Sequence, residues 1–184
     1  MTIVKILDDV TQWAQENICA RALLKVPPKG FEPNDQDYEY KTANPVAFTM
    51  YVPTEDKLPK DKQSAFPSLC VRFVEASEDL ATMTGTMGVQ FLLSAWCPGT
   101  YGAEFQRNGD GWRDIWNFTD IAVHAVESVT HISGYQIDRS VPVKYGPLAE
   151  QEAIPDYYPF WFTWVTFQLT YPLHRNIENT QEFL

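Results

Sequence analysis

Residues 160–173 read FWFTWVTFQLTYPL, and the fold turns on how that run alternates. Trp161, Val165, Phe167, Leu169 and Tyr171 share the odd positions, whereas Thr166, Gln168 and Thr170 share the even ones. Successive side chains of a strand point to opposite faces. The pattern therefore predicts a strand with one face in a core and the other growing wetter toward its end.

Upstream, VPVKYGPL (141–148) is a short extended piece. Met87–Cys97, MGVQFLLSAWC, is a more continuous apolar run stopped by Pro98-Gly99, which predicts a buried strand. In SLCVRFV, residues 68–74, Leu69, Val71 and Phe73 fall on one face. VAFTMYV, residues 46–52, is a β-branched and aromatic run bounded by Pro45 and Pro53. A loop carrying Lys57, Lys60 and Lys62 joins these last two.

Two segments follow the helical period instead. Ile3, Ile6, Leu7, Val10, Trp13, Ala14, Ile18, Ala20 and Leu24 recur every three or four positions, predicting an amphipathic helix over 3–24 that Pro27, Pro28 and Gly30 stop. The turn Asn108-Gly109-Asp110-Gly111 opens a second helix from Trp112 to Ile132, closed by Gly134. Ile115, Phe118, Ala122, Ala125 or Val126, and Val129 form its apolar face, and Asp114 and Asp120 lie toward its positive end. Helix, three strands, helix, two strands is not a regular βαβ alternation. The expected fold class is α+β, with a mostly antiparallel sheet of about five strands and both helices packed on it. One domain is expected over 1–184: the N-terminal helix to residue 25, an extended proline-containing arm at 26–45, the body at 46–172, and a loose tail at 173–184.

Of the 184 residues, 24 are Asp or Glu and 14 are Lys or Arg, a formal charge of −10. Proteins that hold nucleic acid or anionic membranes present positive surfaces, so this charge excludes phosphate grip. Residues 1–66 hold 10 acids and 8 bases, net −2, whereas 67–184 hold 14 acids and 6 bases, net −8. A wall that repels DNA suits a conduit through which DNA slides without sticking. Aromatics make up 14%, enough for a substantial core or for surface reserved for a partner. Cys19, Cys70 and Cys97 are odd in number and form no CxxC pair, which predicts reduced core thiols and a cytosolic setting. Asp8 and Asp9 interrupt any apolar leader, and no run approaches the roughly 18 apolar residues of a membrane helix, so neither export nor a membrane is expected.

Catalytic patterns are sparse. His124 and His131 stand seven apart without an HExxH motif, and the expectation is one half-buried and one exposed helical histidine; His174 adds little. No nucleophile elbow, Walker loop or dinucleotide fingerprint occurs, and Asn117-Phe118-Thr119, though a glycosylation sequon, lies inside a predicted helix. Glu150, Glu152 and Asp156 are the carboxylates that merit weighing, since they stand among Tyr, Pro and Trp. Paired acids with stacking aromatics suit glycoside hydrolysis, and the same acids serve equally as interface or lumen charge.

The order of parts resembles the tail terminator and tail-completion proteins of long-tailed bacteriophages and prophages. The residues that carry the resemblance are PSLCVR (67–72) opening a central strand, then MGVQFLLSAW (87–96), GWRDIWNFTDIAVHAV (111–126) and PVKYGPLAEQEAIPDYYPFWFTWVTFQL (142–169), over about residues 45–172. The resemblance implies a virion structural protein that caps the tail tube as a ring, commonly of six subunits, and joins it to the head. It implies self-association, contacts with tail-tube and head-completion proteins, and DNA passing without specific binding. No catalytic residue, cofactor or small-molecule substrate follows from it. Its setting would be the bacterial host cytoplasm during assembly and then the virion tail. The alternatives are a small carbohydrate-acting hydrolase using Glu150, Glu152 and Asp156, and a non-viral protein-binding adaptor of the same fold.

Overall fold

A computed structural model describes residues 2–28, 41–58, 64–101, 105–148 and 157–173. Helix α1 spans Ile3–Asn17, begun by Thr2, whose hydroxyl accepts from the Lys5 amide, and it buries Ile6, Leu7, Val10 and Ala14. It is shorter than the 3–24 that periodicity predicts. The chain tightens into a 3-10 turn at Cys19–Arg21 and then extends as β1, Leu24–Val26, paired antiparallel with β2, Lys41–Ala43. Ile18 and Leu24 are still buried, so the apolar stripe marks core without marking helix throughout. A distant residue fixes the break: Asn44 Nδ2 lies 2.6 Å from the Ala22 carbonyl and 3.3 Å from that of Cys19, taking up carbonyls that the helix no longer uses. Most of the 26–45 arm lies outside the described residues, as does the 174–184 tail.

The strands that follow are β3 (Val46–Thr49), β4 (Ser68–Asp79), β5 (Thr84–Trp96), β6 (Gly99–Tyr101) and β7 (Phe105–Arg107). After α2 (Gly111–Glu127) come β8 (His131–Ile132), β9 (Tyr135–Ile137), β10 (Lys144–Pro147) and β11 (Phe160–Pro172). Seven of them form one sheet in the order β3-β4-β5-β11-β9-β8, with β10 also pairing β11, while β1-β2 and β6-β7 are separate pairs. Among the described residues every pairing is antiparallel except β3 on β4. The fold is thus α+β with a mostly antiparallel sheet, as expected, and its sheet has seven strands rather than about five.

The surplus strands come from turns whose chemistry outweighs periodicity. Helix α2 stops at Glu127, not Ile132, and residues 131–137 become a hairpin across Ser133-Gly134, both at positive φ (49° and 91°), the signature of a tight two-residue turn. Likewise β4 and β5 run longer than the alternation suggests and meet across residues 80–83, where Asp79 Oδ1 accepts from the amides of Ala81 and Thr82.

The core lies between the two helices and one sheet face. Leu69 and Val71 of β4, Met87, Val89, Phe91 and Leu93 of β5, and Val165, Phe167 and Leu169 of β11 all point into it. Phe91, which lies opposite Val165, and Phe167, two residues along β11, are diagonal neighbours that pack edge to face at 5.0 Å between centroids. Helix α2 begins against β11 so closely that a Cβ on Gly111 would stand 2.1 Å from Trp161 Nε1.

Candidate functional site: the helix-free face of the sheet

Because strands alternate, the residues opposite the core form a second surface, and among the described residues no helix covers it. Register assembles it in rows. Ser68, Ser94 and Phe162 form one, Cys70, Leu92, Trp164 and Gly146 the next, then Arg72, Gln90, Thr166 and Lys144. Beyond a bulge between Phe73 and Glu75 the rows turn polar: Glu75 opposite Gly88 and Gln168, then Ser77, Thr86 and Thr170. The face is therefore apolar at one end and hydrophilic at the other.

The apolar end holds an open groove of about 340 Å³. Met50, Tyr51 and Val52 form one wall and Phe66 and Phe162 another, over a floor of Ser68, Cys70, Leu92 and Ser94. The wall exists because β3 ends abruptly: Met50 takes a positive φ (66°), its amide still donates to Val71 O, and Tyr51 swings out to 71% exposure. Ser68 and Ser94 satisfy each other across β4 and β5 at 2.7 Å. Among the described residues Arg72 is the groove's single charged lining residue, and no acid pairs with it. The groove itself is not foretold by the sequence, although an arginine alternating with apolar residues in SLCVRFV is its trace.

A second concavity, of about 300 Å³, lies on the helical side between the start of α2 and the start of β11. It is lined with aromatic rings, Trp112, Trp116, Tyr157 and Trp161 among them, and the Trp161 indole is turned to backbone, its Nε1 donating to Cys97 O at 3.1 Å. Leu148 and Tyr157 line it and flank residues 149–156. Glu150, Glu152 and Asp156, the acids singled out in the sequence, lie outside the described residues, as do Lys60, Lys62 and His174.

His124 and His131 are both exposed, which corrects the expectation of one half-buried, and His131 sits in β8 rather than in a helix. The three cysteines are buried free thiols. Burial pushes Cys19 up to about 12 and Cys70 up to about 11, the latter against the nearby Arg72 charge. Burial also raises Cys97, opposed by Lys25, whose Nζ lies 3.0 Å from Cys97 Sγ and 3.0 Å from Asp114 Oδ2. Lys25 thereby pins β1 to the end of β5 and the first turn of α2. Among the described residues no three or more His, Cys, Asp or Glu stand close enough together to hold a metal ion, and no helix is long and apolar enough to cross a membrane.

Compared with known proteins, the chain matches no family model and no curated protein.

Proposed function

We propose that this chain is a structural subunit of a long-tailed bacteriophage or prophage particle, one that caps the tail tube as an oligomeric ring and joins it to the head. The observation that carries the reading is the helix-free sheet face, half apolar and open, on a body whose sequence from residue 67 onward bears −8. A sheet packed on one side only, with aromatic and aliphatic side chains exposed at its rim, is a surface built for burial against protein. The surplus of acids supports a role beside DNA that must pass without adhering. The order of strands and helices likewise supports the resemblance to tail terminators.

The test is genetic and biochemical together. Disrupting the gene in its phage or prophage should leave heads and tails unjoined, the chain supplied in trans should restore joined particles, and mass spectrometry should find it in them. Intact particles that lack the chain would overturn the reading. Glycan binding or cleavage that depends on Glu150, Glu152 or Asp156 would turn it toward the hydrolase, for which the aromatic concavity lined by Leu148 and Tyr157 is the specific support.

A further inference from the structure

We infer that the groove on the helix-free face receives the β4–β5 hairpin turn of a second copy of this chain, making the contact between subunits head to tail. The inference rests on the proposed ring. The turn is an apolar knob: Leu80 is 64% and Met83 50% exposed. It is also rigid. Asp79 Oδ1 holds the amides of Ala81 and Thr82, Thr82 and Thr84 share a hydroxyl contact at 2.8 Å, and Leu173 N donates to Met83 O at 2.9 Å. A knob already fixed in shape loses little freedom when it docks.

Charge supplies the complementarity. Glu75, Glu78 and Asp79 lead into the turn, and among the described residues the groove offers one cation, Arg72, in a lining that is otherwise uncharged. In a body with only six bases against 14 acids, Arg72 is exposed and has no acidic partner among the described residues, so it is open to an incoming acid. The groove cannot take its own turn. Cys70 on its floor and Leu80 at the tip are ten residues apart on one strand, roughly 33 Å at the usual rise. The intervening strand is stiffened by pairing on both sides of its bulge, out to Asp79 opposite Thr84 and Thr84 opposite Pro172. Knob and groove are different patches at opposite ends of one sheet, so the contact is heterologous and propagates from copy to copy, closing into a ring when the rotation allows.

Charge reversal in separate copies tests this. Arg72→Glu sets an acid against the incoming acidic turn, and Glu78→Arg sets a base against Arg72; each alone should lower the yield of joined particles about tenfold or more. Co-expressed, the two variants form alternating contacts that are all complementary, and yield should recover. Damage to folding would not recover on mixing. Leu80→Asp, at a side chain exposed to solvent in the monomer, should lose assembly with its melting temperature unchanged. Full yield from Leu80→Asp, or mixed charge variants no better than either alone, overturns the contact and gives the groove another occupant while leaving the ring standing. If the wild-type chain is itself absent from particles that assemble without it, the ring reading fails instead, and the docking inference falls with it.

Discussion

Thr119 and Thr163 meet inside the core, 0% and 1% exposed, with their hydroxyl oxygens 2.7 Å apart. Thr119 Oγ1 donates to the Ile115 carbonyl at 2.7 Å, which leaves the Thr163 hydroxyl as donor to Thr119. The pair is therefore asymmetric. Thr163→Val removes a donor and leaves Thr119 satisfied, a loss of about 1 kcal/mol, whereas Thr119→Val strands a buried hydroxyl and costs about 1–3 kcal/mol. The double variant should return close to Thr163→Val alone. Denaturant melts of the four proteins check the order, and strictly additive losses would show that the two hydroxyls do not depend on each other. Thr163 is also the one polar residue at an odd position between Trp161 and Tyr171, so its oddity is visible in the run; its partner on α2 is not, because no local pattern records which helix residue meets it.

Between elements, the contact that sets how α2 lies on β11 is Gly111 against the Trp161 indole. Alanine is worth up to about 1 kcal/mol over glycine within a helix. The indole, however, is held by its hydrogen bond to Cys97 O, and a Cβ placed 2.1 Å from Nε1 forces it to move. Overpacking of that kind costs about 1–3 kcal/mol, so Gly111→Ala should destabilise on balance. Two residues earlier, Gly109 has nothing within 4 Å of its Cβ direction, and Gly109→Ala should melt within about 0.5 kcal/mol of wild type. Equal melting temperatures for the two variants would refute the packing argument. The same contrast explains what could be read in advance at this scale. β11, β5, the core stripe of α1 and the start of α2 were legible because long alternation or helical periodicity repeats one physical constraint many times. The β8–β9 hairpin, the end of α1 and the groove wall at Met50–Val52 were not. Each is decided by one residue, Gly134, Asn44 or Met50, whose conformation or distant partner overrides a weak local pattern. The helix-free face was half legible, since alternation foretold a wetter side of β11 but not that rows from β4 and β5 would gather beside it into a groove.

Across the whole molecule, α1 is a strut between the two edges of the curled sheet. On the β3 edge Gln15 Oε1 accepts from Ala47 N at 2.8 Å and Thr11 meets Thr49 at 2.9 Å; on the other, Tyr135 of β9 donates to Asp9 Oδ2 at 2.7 Å. The hydrogen bond from Tyr135 chiefly holds the Asp9 carboxyl below its ordinary 3.8, opposed by burial and aided by Lys5. Burial, and then Asp9, pushes Tyr135 up to about 12. The signs are opposite in form and agree in effect. A depressed carboxyl stabilises the fold above pH 3.8 and loses that contribution as pH falls through its folded value; a raised phenol stabilises it below pH 10 and loses that contribution as pH climbs through about 12. Tyr135→Phe should therefore cost about 1–2 kcal/mol at neutral pH, and its deficit against wild type should narrow on the acid side below about pH 4. The main cause of the depression is then gone, so the Asp9 carboxyl, followed by NMR titration, should rise toward 3.8. An Asp9 titration identical in the two proteins would show that the edge of the sheet is not tied to α1 through this bond.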